Sequence, residues 1–322
     1  MIRSVRQIGL IGLILAIGSI ATAQKANLTS HAQMMKWLAA LEAIDATSGY
    51  GRLKVQTIGQ SVKGKDIPLV VVSDPSIPSE LTKKLFVICR QHGDEPASTE
   101  AMLNMIEDLV LDNDKNAGYL LTKVSFYIVP MMNPDGADSY VRRNANRADL
   151  NRDWLNLSQP ETISVRQAIN SAGPDVIIDE HELSPGNSHS DFIETAGLQC
   201  GASAEVAAES ETMLKLVVGM LRSHDMEVKS YQIEDHNPAR LAHRYFPIHG
   251  DTKTFLFETR QAGARQFQLQ YRMELHVIGT MTIAKYLAGQ SDELYQRIAE
   301  YDQRKWTELA SRGKKKPVQK KR

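Results

Sequence analysis

The sequence predicts one α/β domain, a mixed, mostly parallel twisted sheet with helices on both faces. Short apolar runs rich in branched and aromatic residues alternate with stretches whose apolar positions recur at helical spacing. No internal repeat and no glycine- or serine-rich linker divides the 322 residues, and 42% hydrophobic with 24% charged is ordinary globular composition. Polar clusters follow directly on several apolar runs, and in folds of this class sites gather at the carboxyl ends of strands.

Residues 1–23 read as a signal peptide. Arg3 and Arg6 precede an apolar core, Ile8 to Ile20, that is short for a membrane span, and Ala21-Thr22-Ala23 supplies a small-x-small cleavage pattern before Gln24. An uncleaved anchor is the alternative. The expectation is an exported chain, periplasmic or secreted, with no stable membrane span after cleavage. Ser30 then caps a helix with apolar Met34, Met35, Trp37, Leu38, Leu41 and Ile44. The stretch 24–51 is too short for an inhibitory pro-domain, so activity without proteolytic activation is expected.

Strands are expected over 51–59 and 67–72, joined by a turn at Lys63-Gly64-Lys65-Asp66. Leu85 to Cys89 is a buried strand, and Pro96 opens a helix over 97–111. A strand over 123–129 ends in the turn signal Asn133-Pro134-Asp135-Gly136. A helix over 161–172, a strand over 175–179, a helix over 204–221 and a short strand near 226–231 follow. The last strand is 252–257, with helices over 271–287 and 292–309. The domain is placed at 24–309, and residues 310–322 form a basic tail expected to be disordered.

Lys and Arg total 38, as do Asp and Glu, so overall charge does not suggest nucleic acid as a partner. Because the tail carries only basic charges, the remaining body is acidic. Contact of that tail with an anionic envelope polymer or membrane surface is an alternative to simple solvation. Cys89 and Cys200 are no disulfide framework: they could pair in an oxidising compartment, or Cys89 could be a buried free thiol.

The chemistry centres on Arg90-Gln91-His92-Gly93-Asp94-Glu95, between a strand and a helix. His92 and Glu95, three apart at such a junction, suit two ligands of a zinc ion, with Gly93 relieving the turn. A second such pair, His224 and Glu227, has no other candidate ligand nearby. His181, after the apolar run 176–178, is the candidate third ligand beside His92 and Glu95, with a satisfied core histidine as the alternative. Two histidines and one carboxylate leave a position open, as in catalytic rather than structural zinc sites. Glu258 ends an apolar strand, a costly place for a carboxylate, and is the candidate base, with a surface ion pair to Arg260 as the alternative. Arg142, Arg143, Arg147 and Arg152 supply guanidinium groups that match carboxylates or oxyanions.

Taken in order, His92-Gly93-Asp94-Glu95, Asn133-Pro134-Asp135-Gly136, Arg142 with Asn144, Asp149-Leu150-Asn151-Arg152, His181 and Phe257-Glu258 resemble the zinc carboxypeptidase family related to pancreatic carboxypeptidase A. The resemblance spans about residues 57–268. It implies one zinc ion per chain, held by His92, Glu95 and His181. It implies that Glu258 takes a proton from a zinc-activated water and passes it to the leaving amine, and that Arg142 stabilises the oxyanion. Asn151 and Arg152 would clamp a terminal carboxylate, and Asp149 would orient the first zinc histidine. The family's mobile tyrosine has Tyr245 as nearest candidate, with a core tyrosine as the alternative; His243 and His249 beside it read as ordinary surface histidines, with contact to substrate as the alternative.

The implied activity is removal of C-terminal residues from peptides with a free carboxylate. Amidase or carboxypeptidase action on cell-wall (murein) peptides is the alternative favoured by export. Small acylated amino acids are a further substrate class. A non-catalytic zinc- or peptide-binding module is the alternative of a different kind, and it would be expected to lack the base or a ligand.

Overall fold

The computed structural model describes residues 28–111, 115–184, 187–233, 240–261 and 268–313. The segment read as a signal peptide and residues 314–322 of the basic tail lie outside them. Among the described residues the chain runs α1 (His31–Ser48), β1 (Leu53–Gln60), β2 (Asp66–Val72), β3 (Lys83–Cys89), α2 (Ala97–Leu111), α3 (Lys115–Leu121) and β4 (Val124–Val129). It continues through α4 (Pro134–Ser139), α5 (Pro160–Ala172), β5 (Val176–Leu183), β6 (Phe192–Ala196), α6 (Ala204–Ser223) and β7 (Lys229–Ile233). It closes with α7 (Ala242–His249), β8 (Lys253–Arg260), α8 (Leu269–Leu287) and α9 (Ser291–Gly313).

All eight strands join one mixed sheet in the order β1-β2-β4-β3-β5-β8-β6-β7. The central pairings β4–β3, β3–β5 and β5–β8 are parallel, and β1–β2, β2–β4 and β6–β8 are antiparallel. The chain leaves β3 for β4 on one side and returns to β5 on the other. That reversal opens a crevice beyond the carboxyl ends of β3 and β5, where ligands bind in such sheets.

Side chains alternate between the faces of the sheet. Val87, Cys89, Ile178 and Phe257 face a core shared with α1, α2, α6 and α8. Phe86, Ile88 and Ile177 face a second core with Trp154, α5 and α7. The expected covering of both faces is therefore present.

Ser30 caps α1 by a reciprocal capping box with Gln33, and α2 has the bounds that its spacing predicts. Three expectations need correction. The strand expected over 175–179 runs to Leu183 and the one over 252–257 runs to Arg260, so His181 and Glu258 lie inside strands. Reading the strand ends from the last apolar residue cut them short. The short strand begins at Lys229, and α3, α4, β6 and α7 were not anticipated. The last helix, expected over 292–309, spans Ser291–Gly313. Cys89 and Cys200 are both buried, and no disulfide joins them. No helix of the described residues is long and apolar enough to cross a membrane.

Gly279 lets α8 lie directly on the sheet, because a Cβ there would fall 2.3 Å from the buried Phe257 ring. Gly279→Ala should therefore destabilise the protein by about 1–3 kcal/mol through overpacking, read as a lower denaturant midpoint.

Candidate metal centre

The turn after β3 depends on two residues. Arg90 is the one in the left-handed conformation (φ 55), and its buried guanidinium donates from Nε to Gly93 O at 3.1 Å. Gly93 serves close approach rather than turn geometry: a Cβ would lie 2.0 Å from the Gly136 carbonyl carbon. This contact brings the Asn133-Pro134-Asp135-Gly136 turn against the His92 turn. Asn133 completes it, accepting from Gly136 N at 2.9 Å and donating to Gln91 O at 3.2 Å.

His92, Glu95 and His181 then meet at one point, all buried. His92 Nδ1 lies 2.7 Å from Glu95 Oε1, His181 Nδ1 lies 2.8 Å from Glu95 Oε2, and the two Nδ1 atoms are 3.1 Å apart. Behind each ring a carboxylate holds the far nitrogen. Asp149 Oδ1 is 3.0 Å from His92 Nε2, and Asp179 Oδ1 is 3.0 Å from His181 Nε2. With each Nε2–H donated backwards, both Nδ1 lone pairs and the Glu95 carboxylate aim at the same place. Such a set of acceptors calls for a proton or a cation between them. Two imidazoles and one carboxylate, oriented by outer carboxylates, fit a catalytic zinc ion.

The electrostatics agree. Burial opposes ionisation of Glu95, yet the charges and hydrogen bonds of His92 and His181 hold its pKa down at about 2. Burial likewise disfavours the His181 imidazolium, but Asp179 and Glu95 outweigh it and raise its pKa well above the usual range. Asp149 and Asp179 are held below the usual carboxylate range despite their burial, chiefly by the histidines they face.

Glu258 stands one strand away. It is the register partner of His181 across the parallel β5–β8 pair, so both project from the same face. Glu258 Oε2 is buried without a hydrogen-bond partner among the described residues. Burial, reinforced by Glu95 and Asp179 and opposed by His181, pushes its pKa up to about 8.

The polar loop after α4 brings most of the remaining predicted residues to this point. Arg142 pairs with Asp149 Oδ2 at 3.1 Å and reaches Glu95 Oε1 at 3.3 Å. Asn144 shapes that loop, donating to Glu161 at 3.1 Å and accepting from Ala148 N at 2.9 Å. Asn151 is buried, with Nδ2 3.1 Å from His181 Nε2 and Oδ1 accepting from Ala242 N at 3.2 Å. Arg152 is exposed and donates to Asn151 O at 2.8 Å. Partial desolvation and three neighbouring guanidiniums, Arg142, Arg240 and Arg244, outweigh Asp149 and lower its pKa.

Tyr245 is not brought to the ligands. Its hydroxyl accepts from Arg166 of α5, whose guanidinium lies 3.7 Å over the ring, and His249 stacks on it at 4.3 Å. His243 is buried rather than a surface residue. Its Nε2 is 2.7 Å from Glu194 Oε1, and its Nδ1 is 3.8 Å from Asp179 Oδ2. His249 is exposed, as expected.

Sequence reasoning missed Gln91, Asp179 and the His243–Glu194 pair. Gln91 bridges the site, donating to Asp179 Oδ1 and accepting from Trp154 Nε1 at 2.8 Å. The available signal for Asp179 was a carboxylate two residues before His181 in an apolar run. That spacing puts both on one face of a strand.

A family model, "Zinc carboxypeptidase", matches residues 36–216, which include His92, Glu95 and His181 but not Glu258. Carboxypeptidase 2 of Trichophyton rubrum is 32% identical over 144 residues, covering 42% of this chain and 27% of that protein. With 36% and 27% of the first two curated relatives matched, the chain spans well under half the length of the relatives it resembles. Among solved structures, a metallo-carboxypeptidase from Burkholderia cenocepacia aligns with TM-score 0.65 at 22% identity, over 80% of this chain and 69% of that one. A metallo-carboxypeptidase from Pseudomonas aeruginosa, in complex with (2-guanidinoethylmercapto)succinic acid, aligns with TM-score 0.63 at 25% identity, over 83% and 70%.

The raised Glu258 pKa sets a pH test on the metal-free protein. Unfolded, the carboxyl titrates near pH 4.3 or so, at about the model-peptide value; folded, it titrates at about 8. Stability should therefore be lost as pH rises between those values. In thermal melts with chelator, Glu258→Gln should melt higher than wild type near pH 8 and nearly equal to it near pH 4. Equal melting at both would show a hydrated carboxylate.

Proposed function

The chain belongs to the zinc carboxypeptidase family, and from that we propose that it removes the C-terminal residue from peptides with a free terminal carboxylate. The observation that carries this reading is Glu258 beside His181, a carboxylate without a hydrogen bond to its Oε2, facing the convergent His92, Glu95 and His181.

We assign His92, Glu95 and His181 as ligands of one zinc ion. Bound there, zinc would supply Lewis-acid chemistry, acidifying a water and polarising the scissile carbonyl. The chain's own groups do the rest. Glu258 accepts the proton of the attacking water and returns it to the departing amine. Its environment suits that exchange, because burial disfavours the charged form while a bound cation would favour it.

Arg142 is fixed by Asp149 with its guanidinium edge beside Glu95, where it can donate to developing negative charge on the carbonyl oxygen. Arg152 receives the substrate's terminal carboxylate, which would relieve repulsion from the surrounding guanidiniums. Asn151 acts at closer range, lying beside the His181 ring and accepting from Ala242 N at the start of α7. Its contribution to carboxylate binding would require its amide to leave these contacts. Asp149 and Asp179 hold the proton of each neutral imidazole on its far nitrogen, so that the metal-facing nitrogen is the one that offers a lone pair to a cation. Tyr245, held by Arg166, serves as a substrate cap only if α7 or its side chain moves.

We further propose export through residues 1–23, with a catalytic domain at 24–309 and a basic tail at 310–322. Cell-wall peptides are the second substrate class, which the proposed export favours.

The direct test is amino-acid release from a mixed peptide library and from purified cell-wall peptides, with and without chelator. Glu258→Gln should keep zinc and lose release by about 100-fold or more. Arg152→Ala should weaken kcat/KM by about 10- to 100-fold on free-carboxylate peptides, and amidated peptides should resist the wild type. The pool that is cut chooses between the substrate classes. A zinc-loaded wild type that cuts neither would instead support a binding module.

A further inference from the structure

We propose that Glu182, which faces away from the metal ligands, is a positioning residue that sets the spacing between Glu95 and His181. The proposal rests on reading these residues as metal ligands.

His181 and Glu182 are consecutive in β5, so their side chains leave opposite faces of the sheet. The Glu182 carboxylate enters the layer between the sheet, α2 and α8 and is fully buried. One oxygen accepts from Ala97 N, the first residue of α2, at 2.6 Å. That N–H belongs to the first turn of a helix, where amides lack partners within the helix and the local charge is positive. The other oxygen lies 2.6 Å from Nε of Arg272 on α8, also buried. The Glu182 backbone N–H donates on its own account to Glu95 Oε2 at 3.1 Å.

One residue thus holds both ligand-bearing segments. Through its backbone it touches Glu95, and through its side chain it ties β5 to the helix that starts two residues after Glu95. The ligands come from two strand ends that are joined by backbone pairing only up to Cys89 and Glu180. Beyond that register, Glu182 supplies a direct bond between β5 and the start of α2. A neutral replacement could still accept from Ala97 N, but its amide would face the Arg272 guanidinium and the clamp would open.

Glu180 provides an internal comparison. It is a buried acid on the same face of β5, bonded to Thr280 Oγ1 at 3.1 Å and Cys89 Sγ at 3.5 Å rather than to the start of α2.

The test uses the full chain at a temperature where circular dichroism shows every variant folded. Zinc affinity is measured by chelator competition, and cobalt(II) loading reports ligand geometry through its visible bands. Glu182→Gln should bind zinc about 10-fold or more weakly and shift the cobalt bands. Glu180→Gln should keep wild-type affinity and bands even where its melting temperature falls. If Glu182→Gln does not fold, Glu182→Asp, which keeps the charge but withdraws it from Ala97, should show the same loss. Wild-type affinity and bands in the Glu182 variants, or an equal loss in Glu180→Gln, would overturn the proposal. A wild type that fails to bind zinc would instead overturn the ligand assignment.

Discussion

The site depends on the parallel alignment of β3, β5 and β8. Register places Cys89 beside Glu180 and His181 beside Glu258, so β5 and β8 end level with each other, at Leu183 and Arg260, while β3 stops short of them at Cys89. A parallel sheet sends all its strand ends the same way, and the reversal of direction after β3 opens a crevice between two of them. His92 and Glu95 come from the first end, His181 from the second and Glu258 from the third. Slipping any of these strands by one residue would turn its functional side chain to the opposite core.

The second constraint is charge. The fold buries Glu95, Asp179, Glu180, Glu182, His92, His181 and His243 around one sheet. Burying ions is costly unless each finds a partner. Here the partners are shared: Asp149 serves both His92 and Arg142, Asp179 lies between His181 and His243, and Glu95 lies between two histidines. Glu258 Oε2 has neither a hydrogen bond nor an ion pair among the described residues. That oxygen lies where a mobile proton would be useful.

Much of this was legible in the chain. The period of Ala101, Met102, Met105, Ile106 and Leu109 marks α2 because one helix face must meet the core, and Pro96 marks where it begins. The residues His92, Glu95, His181 and Glu258 were legible as an ordered set. Less legible were the ends of β5 and β8, where charged residues continue as strand because neighbouring strands satisfy their backbone. Tyr245 reads identically as a substrate cap or a packed residue, and only its contact with Arg166 decides where it lies here. His243 looked like a surface residue because nothing local announces Asp179 and Glu194 on either side of it.

The sequence by itself determined the α/β class, most of the helices and strands, and the candidate metal-binding set. These follow from local periodicity and from residue chemistry that few other patterns share. Tertiary structure decided what faces what: that Asp179 backs His181, that Gly93 meets Gly136, and that Glu182 joins β5 to α2. Those facts rest on contacts between residues 2 to 85 positions apart. Only the assembled sheet, with its register and its two cores, brings such residues within hydrogen-bonding or van der Waals reach.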